Sequence, residues 1–169
     1  MPLSMAQASL PVFNHALNNL AAILAKGKAH IDAKKLDESY FVNFRLFPDM
    51  LPLAVQVRIA CDMVKGGGAR LAGVEVPKFE DNEKTFDELI ARVHKTIDFL
   101  GTLKAEQVDG SEGREIVLAS PRGNMTFTGQ NYLFQFVLPN LYFHSATAYN
   151  ILRHNGVEIG KMDFLGKIQ

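Results

Sequence analysis

Two polar residues, Asn140 and His144, stand within a stretch of the sequence that is otherwise largely apolar. A spacing of four places both side chains on the same face of a helix. An imidazole at such a position can bind a metal ion or act as a general base near neutral pH, whereas an amide mainly donates and accepts hydrogen bonds. An unpaired buried amide or imidazole costs roughly 1–3 kcal/mol. Some partner must therefore satisfy the pair, and its identity decides what the site does.

Four segments with apolar residues at helical spacing are expected to form the helices that position this pair. The first is predicted from Ser4, a possible N-cap, to Gly27, with either a kink at Pro11 or a start near Leu10. The second is predicted to begin after the cap residue Asp49 and to run to Val64 or beyond. The glycine triplet at 66–68 then predicts a loose or kinked helix end, because each glycine inside a helix costs roughly 1 kcal/mol relative to alanine.

The third helix is predicted over residues 84–103, where Thr85 and Glu88 have the spacing of a capping box. The last helix is expected to open at Thr128 or Gly129 and to be interrupted at Pro139. The tail that follows it is apolar enough to fold back over the body of the protein.

A short β-hairpin is predicted between the third and fourth helices. Residues 114–118 and 124–128 are strand-like and flank the turn sequence SPRG. Because an isolated hairpin is marginally stable in water, it is expected to pack on the helices. The sequence therefore predicts a single domain over residues 1–169, an all-α four-helix bundle with a small β-hairpin before the last helix.

The composition limits the functions open to this chain. Lys plus Arg and Asp plus Glu both number 18, so no basic excess is available to neutralise phosphates, and nucleic-acid binding is not expected. No signal peptide and no apolar run of about 20 residues is recognisable, so no membrane association is expected. The single cysteine, Cys61, lies in an apolar run and is interpreted as a buried residue. These features predict a soluble, cytoplasmic protein.

Three stretches together carry a resemblance to a known family. RLFPDMLPLAVQ, CDMVKGGGARLAGVEVP and LPNLYFHSATAYNILRHNGVEIGKMDFLG resemble an uncharacterised family of the DinB/YfiT-like superfamily. The resemblance covers essentially the whole chain and implies a DinB/YfiT-like four-helix bundle with a long crossover. It also implies a divalent metal in many members, held by one histidine of the second helix and an HxxxH pair of the fourth. Some members act on substrates attached to low-molecular-weight thiols.

The resemblance assigns three site residues in this chain, of which only His144 keeps the histidine. Asn140 stands at the first histidine of the HxxxH pair, and Gln56 stands at the histidine of the second helix. Imidazole binds Zn and Ni well, whereas neutral amide oxygens are weak ligands for these metals. Three interpretations remain open: a divalent metal (Zn or Ni) held by His144, a hydrogen-bonded cluster that fixes the helix register, or a small polar ligand bound without metal.

Two functional classes follow from these interpretations. One is a DinB-like protein that binds a small molecule, such as a low-molecular-weight thiol, through Gln56, Asn140 and His144 in a polar pocket at one end of the bundle, with a degenerate metal site. The alternative is a transferase or hydrolase that depends on a metal or a thiol cofactor and uses His144. The last helix is apolar almost all round, which predicts a homodimer. Arg45 is expected to form a structural salt bridge with a core carboxylate such as Asp62.

Overall fold

The body of the fold consists of four long helices. The computed structural model describes residues 3–121 and 123–167, and within them the long helices are α1 (Met5–Lys34), α3 (Leu53–Ala72), α4 (Phe86–Gly101) and α7 (Leu138–His154). The shorter elements are α2 (Glu38–Asn43), α5 (Ala105–Val108), β1 (Glu115–Leu118), β2 (Met125–Thr128), α6 (Gly129–Asn131) and α8 (Lys161–Leu165). A π-helical segment, Tyr132–Val137, joins α6 to α7.

The long helices form a bundle in which successive long helices are not always neighbours. α1 packs mainly on α4 and also on α7, whereas α3 packs mainly on α7 and also on α4. α1 and α3 therefore lie on one diagonal of the bundle, and the connection between α1 and α3 crosses its end. One continuous hydrophobic core fills the space between the helices. The strands β1 and β2 form the predicted antiparallel hairpin. Among the described residues, no helix is long and apolar enough to cross a membrane.

Local sequence signals set the starts of two long helices as predicted. The Ser4 hydroxyl accepts a hydrogen bond from the Gln7 backbone, and the Gln7 side chain accepts one from the Ser4 backbone. Thr85 and Glu88 form the same reciprocal arrangement before α4. Each of these capping boxes satisfies two backbone donors that lack a partner inside the helix.

The predicted start of α3 was wrong by several residues. Asp49 does not cap the helix, because the chain remains irregular until Pro52, which is the N-cap with a φ of −73°. The backbone N–H of Leu53 donates instead to the carbonyl of Phe44, at 3.0 Å. This contact anchors the end of the preceding loop and delays the helix to Leu53.

Two glycine signals that predicted helix ends lie inside helices. α1 continues past Gly27 to Lys34, and α3 continues past the triplet 66–68 to Ala72. A Cβ atom at Gly27 would lie 2.8 Å from the ring of Phe86, and one at Gly67 would lie 2.8 Å from Cγ1 of Val137. These glycines permit neighbouring helices to approach closely, and the packing gained there offsets their low helix propensity.

The interruption predicted at Pro139 is present as a change of helix type. The π-helical segment Tyr132–Val137 ends two residues before Pro139, and α7 begins at Leu138 with Pro139 in its first turn. Proline lacks an N–H and its ring clashes with the carbonyl four residues earlier. The wider turn upstream of Pro139 relieves this conflict, so α6, the π-helical segment and α7 form one long helix.

A buried arginine, Arg92, holds the crossover between α3 and α4. Its guanidinium is 2% exposed and forms ion pairs with Asp62, Asp81 and Glu83 at 2.9–3.1 Å. It also donates to the backbone carbonyl of Glu80, at 2.9 Å. The residues between the two helices are thereby tied to both of them.

The predicted partner of Asp62 was wrong. Arg45 is exposed, and its guanidinium donates only to the carbonyl of Pro48, at 3.4 Å. Arg92 and Lys65 occupy both sides of Asp62 instead. The sequence gives no signal for the pairing with Arg92, because Arg92 belongs to α4 and Asp62 to α3, whereas Lys65 lies three residues after Asp62 in the same helix.

Replacing Gly67 tests the close approach of α3 and α7. We expect Gly67→Ala to lower the free energy of unfolding by about 1–3 kcal/mol, because the added methyl group overlaps the stiff, buried side chain of Val137. Gly101→Ala in α4 is the matched control, since nothing lies within 4 Å of its added Cβ. Urea denaturation measures both. A Gly67→Ala protein as stable as the control would contradict the proposed packing role.

Replacing Arg92 tests the buried ion-pair network. We expect Arg92→Met to lower the free energy of unfolding by about 1–3 kcal/mol, because Glu83 and Asp62 each lose one of two cationic partners and keep Arg58 and Lys65, respectively. Lys95→Met in the same helix is the control. Its exposed ammonium contacts only the ring of Phe79, so a loss below about 1 kcal/mol is expected. Chemical denaturation at neutral pH distinguishes the two.

The same variant has a defined pH dependence. Burial acts to raise the pKa of Glu83, but hydrogen bonds from Arg92 and Arg58 outweigh it and hold that pKa below 4.5. The stabilisation is therefore complete above about pH 4.5 and is lost as the pH falls through the lower pKa of the folded state. We expect this acid-induced loss to be smaller in Arg92→Met. An equally steep loss in both proteins would show that the Arg92–Glu83 pair does not cause it.

Candidate functional site

The structure brings Gln56 of α3 and His144 of α7 into direct contact. Nδ1 of His144 lies 2.7 Å from Oε1 of Gln56. Both side chains are buried, with exposed fractions of 2% for Gln56 and 9% for His144. Gln56 shares the inward face of α3 with Leu53, Val57 and Ala60, so the core of the bundle surrounds the pair.

A second hydrogen bond determines which way the Gln56 amide points. Its Nε2 donates to the backbone carbonyl of Leu51, at 2.9 Å. Because the nitrogen is engaged there, the oxygen faces His144 and can only accept. Nδ1 of His144 must therefore carry the proton, and the lone pair of the neutral ring lies on Nε2. No described residue forms a hydrogen bond with this Nε2.

Burial favours the neutral imidazole. Removal from water lowers the pKa of His144 below its ordinary value of 6.5. No carboxylate of the described residues pairs with the ring, and the ring of Phe143 meets it edge-on with 5.1 Å between the ring centroids. At neutral pH the ring is therefore an uncharged group with a proton on Nδ1 and a free lone pair on Nε2.

Asn140 does not join the hydrogen bond between Gln56 and His144. It lies one turn before His144 and is half-buried, but its amide nitrogen donates to the carbonyl of Phe136, at 2.7 Å. Within the part of the chain that is described, no hydrogen bond links Asn140 to either partner. The structure thus brings two of the three predicted site residues together and orients the third towards its own helix.

The donor atoms at this site do not fit a divalent metal such as Zn or Ni. His144 supplies one imidazole nitrogen, and the amide oxygen of Gln56 is already bonded to the same ring. Among residues 3–121 and 123–167, no three His, Cys, Asp or Glu side chains lie together in a way that could hold a metal ion. Structural and catalytic zinc sites use at least three protein ligands of these types.

One feature of the site gave no signal in the sequence. The carbonyl of Leu51 orients Gln56, yet it belongs to the backbone of an irregular loop, so no residue type marks it.

The single cysteine, Cys61, is buried in the core, as the sequence predicted. Burial raises the pKa of its thiol to about 12, so it has no thiolate character at neutral pH.

The chain matches one protein family and is similar to one solved structure in particular. A family model described as a domain of unknown function, DUF1993, matches residues 5–165. The chain is also similar to a DinB family member protein from Shewanella denitrificans, known from a crystal structure at 1.83 Å resolution. The two sequences are 38% identical, the match covers 96% of this chain and 92% of the other, and the TM-score is 0.88. No curated protein matches the chain. The predicted DinB-like helical fold is confirmed.

The orientation of the pair is testable through the titration of His144. We expect Gln56→Glu to raise the pKa of His144 by about one unit or more, because a carboxylate within hydrogen-bonding distance favours the imidazolium. NMR titration of the imidazole resonances measures the change, and nitrogen shifts report the proton on Nδ1. The resonances of the exposed His94 are the internal control and are expected to be the same in both proteins. An unchanged His144 pKa would contradict the contact.

Proposed function

Since the chain belongs to the DUF1993 family of DinB-like proteins, whose function is unknown, we propose that it binds a small molecule at the Gln56–His144 pair without a resident divalent metal. The observation that supports this proposal is the orientation of His144. Gln56 holds Nδ1–H, and Nε2 remains able to accept a hydrogen bond from a bound molecule. Asn140, one turn away on the same helix, would supply a further polar group.

The chemistry of the pair favours a ligand with a polar hydrogen. Nε2 of a neutral imidazole accepts a hydrogen bond from a thiol, a hydroxyl or an amine at little cost in desolvation. It has no proton to donate to an anionic group. The low-molecular-weight thiols are one such class of ligand. Their S–H or amide N–H groups would donate to Nε2 of His144, which Gln56 holds in one tautomer.

Metal content and thiol binding together test this proposal. Protein purified without an affinity tag is expected to contain no stoichiometric Zn or Ni by elemental analysis, and none after addition of either ion. Glutathione is then added to the metal-free protein, and NMR is expected to show shifts of the His144 ring and of the Gln56 side-chain amide. His144→Gln is expected to abolish the shift of the Gln56 side-chain amide, and Lys95→Met, on an exposed surface, is the control.

Two results would contradict the proposal. Stoichiometric metal that is lost on His144→Gln would show that the site is a metal centre after all. Shifts that glutathione causes equally in wild type and in His144→Gln would place its binding elsewhere. Because both variants can be checked for folding by their amide spectra, neither result depends on loss of structure.

A thiol-dependent transferase or hydrolase is the second candidate function. The lowered pKa of His144 favours it, because a neutral imidazole at physiological pH can take the proton of a bound thiol on Nε2 and leave a nucleophilic thiolate. Turnover of a glutathione conjugate that disappears in His144→Gln would support this candidate over simple binding.

The homodimer and the cytoplasmic location stay predictions. Large apolar side chains of the last long helix remain exposed, among them Phe134 at 46% and Phe143 at 60%. The tail helix α8 covers α1 without covering these residues. A second copy of the chain is therefore the proposed cover for this part of the surface.

A further inference from the structure

A cavity of about 110 Å³ lies between α1, α7 and α8. It is lined by Ser145, the residue that follows His144, but by neither His144 nor Gln56, so it is separate from that pair. Its inner wall consists of buried groups, which include Leu20, Ile23 and Ser145. None of the described residues that line it carries a carboxylate, an ammonium or a guanidinium group.

The hydroxyl of Ser145 is a buried polar group without a partner. The residue is 4% exposed, and its Oγ forms no hydrogen bond with the described protein. Other buried hydroxyls within helices of this protein donate to the carbonyl four residues earlier, at 2.7–2.9 Å: Ser9, Thr96 and Thr147. Ser145 departs from this local pattern at the point where its helix faces the cavity. An unpaired buried hydroxyl is costly, so a bound molecule that pairs with it gains affinity.

The helix α8 closes one side of the cavity as a weakly held cover. Phe164 and Leu165 of α8 line the cavity, but no residue of this helix is buried. Polar contacts with α1 hold it in place: the side chain of Asn19 donates to the carbonyl of Phe164, at 3.1 Å, and Nε2 of His15 lies 2.7 Å from the carbonyl of Leu165. A segment with so little buried apolar surface opens at low cost, which provides a route into the cavity.

We infer that this cavity binds a small, uncharged molecule with an apolar body and one hydrogen-bonding group. The apolar wall formed by Leu20 and Ile23 receives the body, and Oγ of Ser145 receives the polar group. The volume suits a molecule of roughly the size of benzene, which dry protein cavities of about 150 Å³ are known to accept. An ionised ligand is disfavoured, because it would lose its hydration and because Nε2 of His15, in the lining, is already within 2.7 Å of the carbonyl of Leu165.

Phenol is the probe for this site, with benzene and benzoate as comparators. We expect phenol to bind with one-to-one stoichiometry in calorimetry and to shift the amide resonances of Leu20, Ile23 and Ser145 but not that of Gln56. Benzene is expected to bind more weakly because it cannot pair with the hydroxyl, and benzoate is expected not to bind. Benzoate that binds as tightly as phenol would overturn the assignment of an uncharged ligand.

Variants distinguish this cavity from other binding surfaces. Ser145→Ala is expected to weaken phenol binding roughly fivefold to tenfold and to leave benzene binding unchanged. Thr147→Val removes a hydroxyl that is already paired and is expected to have no effect on either. Ala16→Leu fills the cavity and is expected to abolish binding of both probes, whereas Ala25→Leu, exposed on the same helix, is the control. Absence of saturable phenol binding, or phenol binding unaffected by Ser145→Ala, would overturn the proposal.

Discussion

The close antiparallel contact of α3 with α7 is the constraint on which the rest of the structure depends. Three contacts run along it from one end of α3 to the other: Gln56 with His144, Gly67 with Val137, and Arg70 with Tyr132. Gly67 allows a short distance between the helix axes, because the side chain of Val137 packs there directly against the backbone of α3. The rotation of α7 about its axis places Leu141, His144 and Ala148 on its buried face, and from there His144 reaches Gln56. The core layers and the candidate site follow from these two settings.

The buried polar side chains of Arg92 and His144 are stabilised in different ways. At Arg92 a full charge is compensated by carboxylates from the crossover and from α3, so the network is tied to the fold. At His144 the partner is a neutral amide, and burial alone lowers the pKa of the ring. The second arrangement satisfies one ring nitrogen and leaves the other with its lone pair. That lone pair on Nε2 of His144 is available to a ligand that donates a hydrogen bond.

Signals that act within one turn of a helix were readable in the sequence, and signals that depend on a neighbouring helix were not. The cap residue Ser4 and the capping box of Thr85 and Glu88 were predicted correctly, because each cap acts on residues at most three positions away. Gly27 and Gly67 were interpreted as helix ends, because glycine weakens an isolated helix. Their actual role depends on the side chains of Phe86 and Val137, which belong to helices far away in the chain. The partner of Asp62 was missed for the same reason.

The sequence by itself determined the bundle class, the hairpin, the family resemblance and the placement of His144 in an apolar helix. Periodicity and capping are local properties, and the family motifs are contiguous, so one chain is enough to read them. Only the tertiary structure decided that Gln56 contacts His144, that the Leu51 carbonyl orients the amide, and that Asn140 turns to its own helix. The contact depends on the directions of two side chains, those of Gln56 and His144, which lie 88 residues apart in the sequence and on different helices. No spacing within a single helix encodes them.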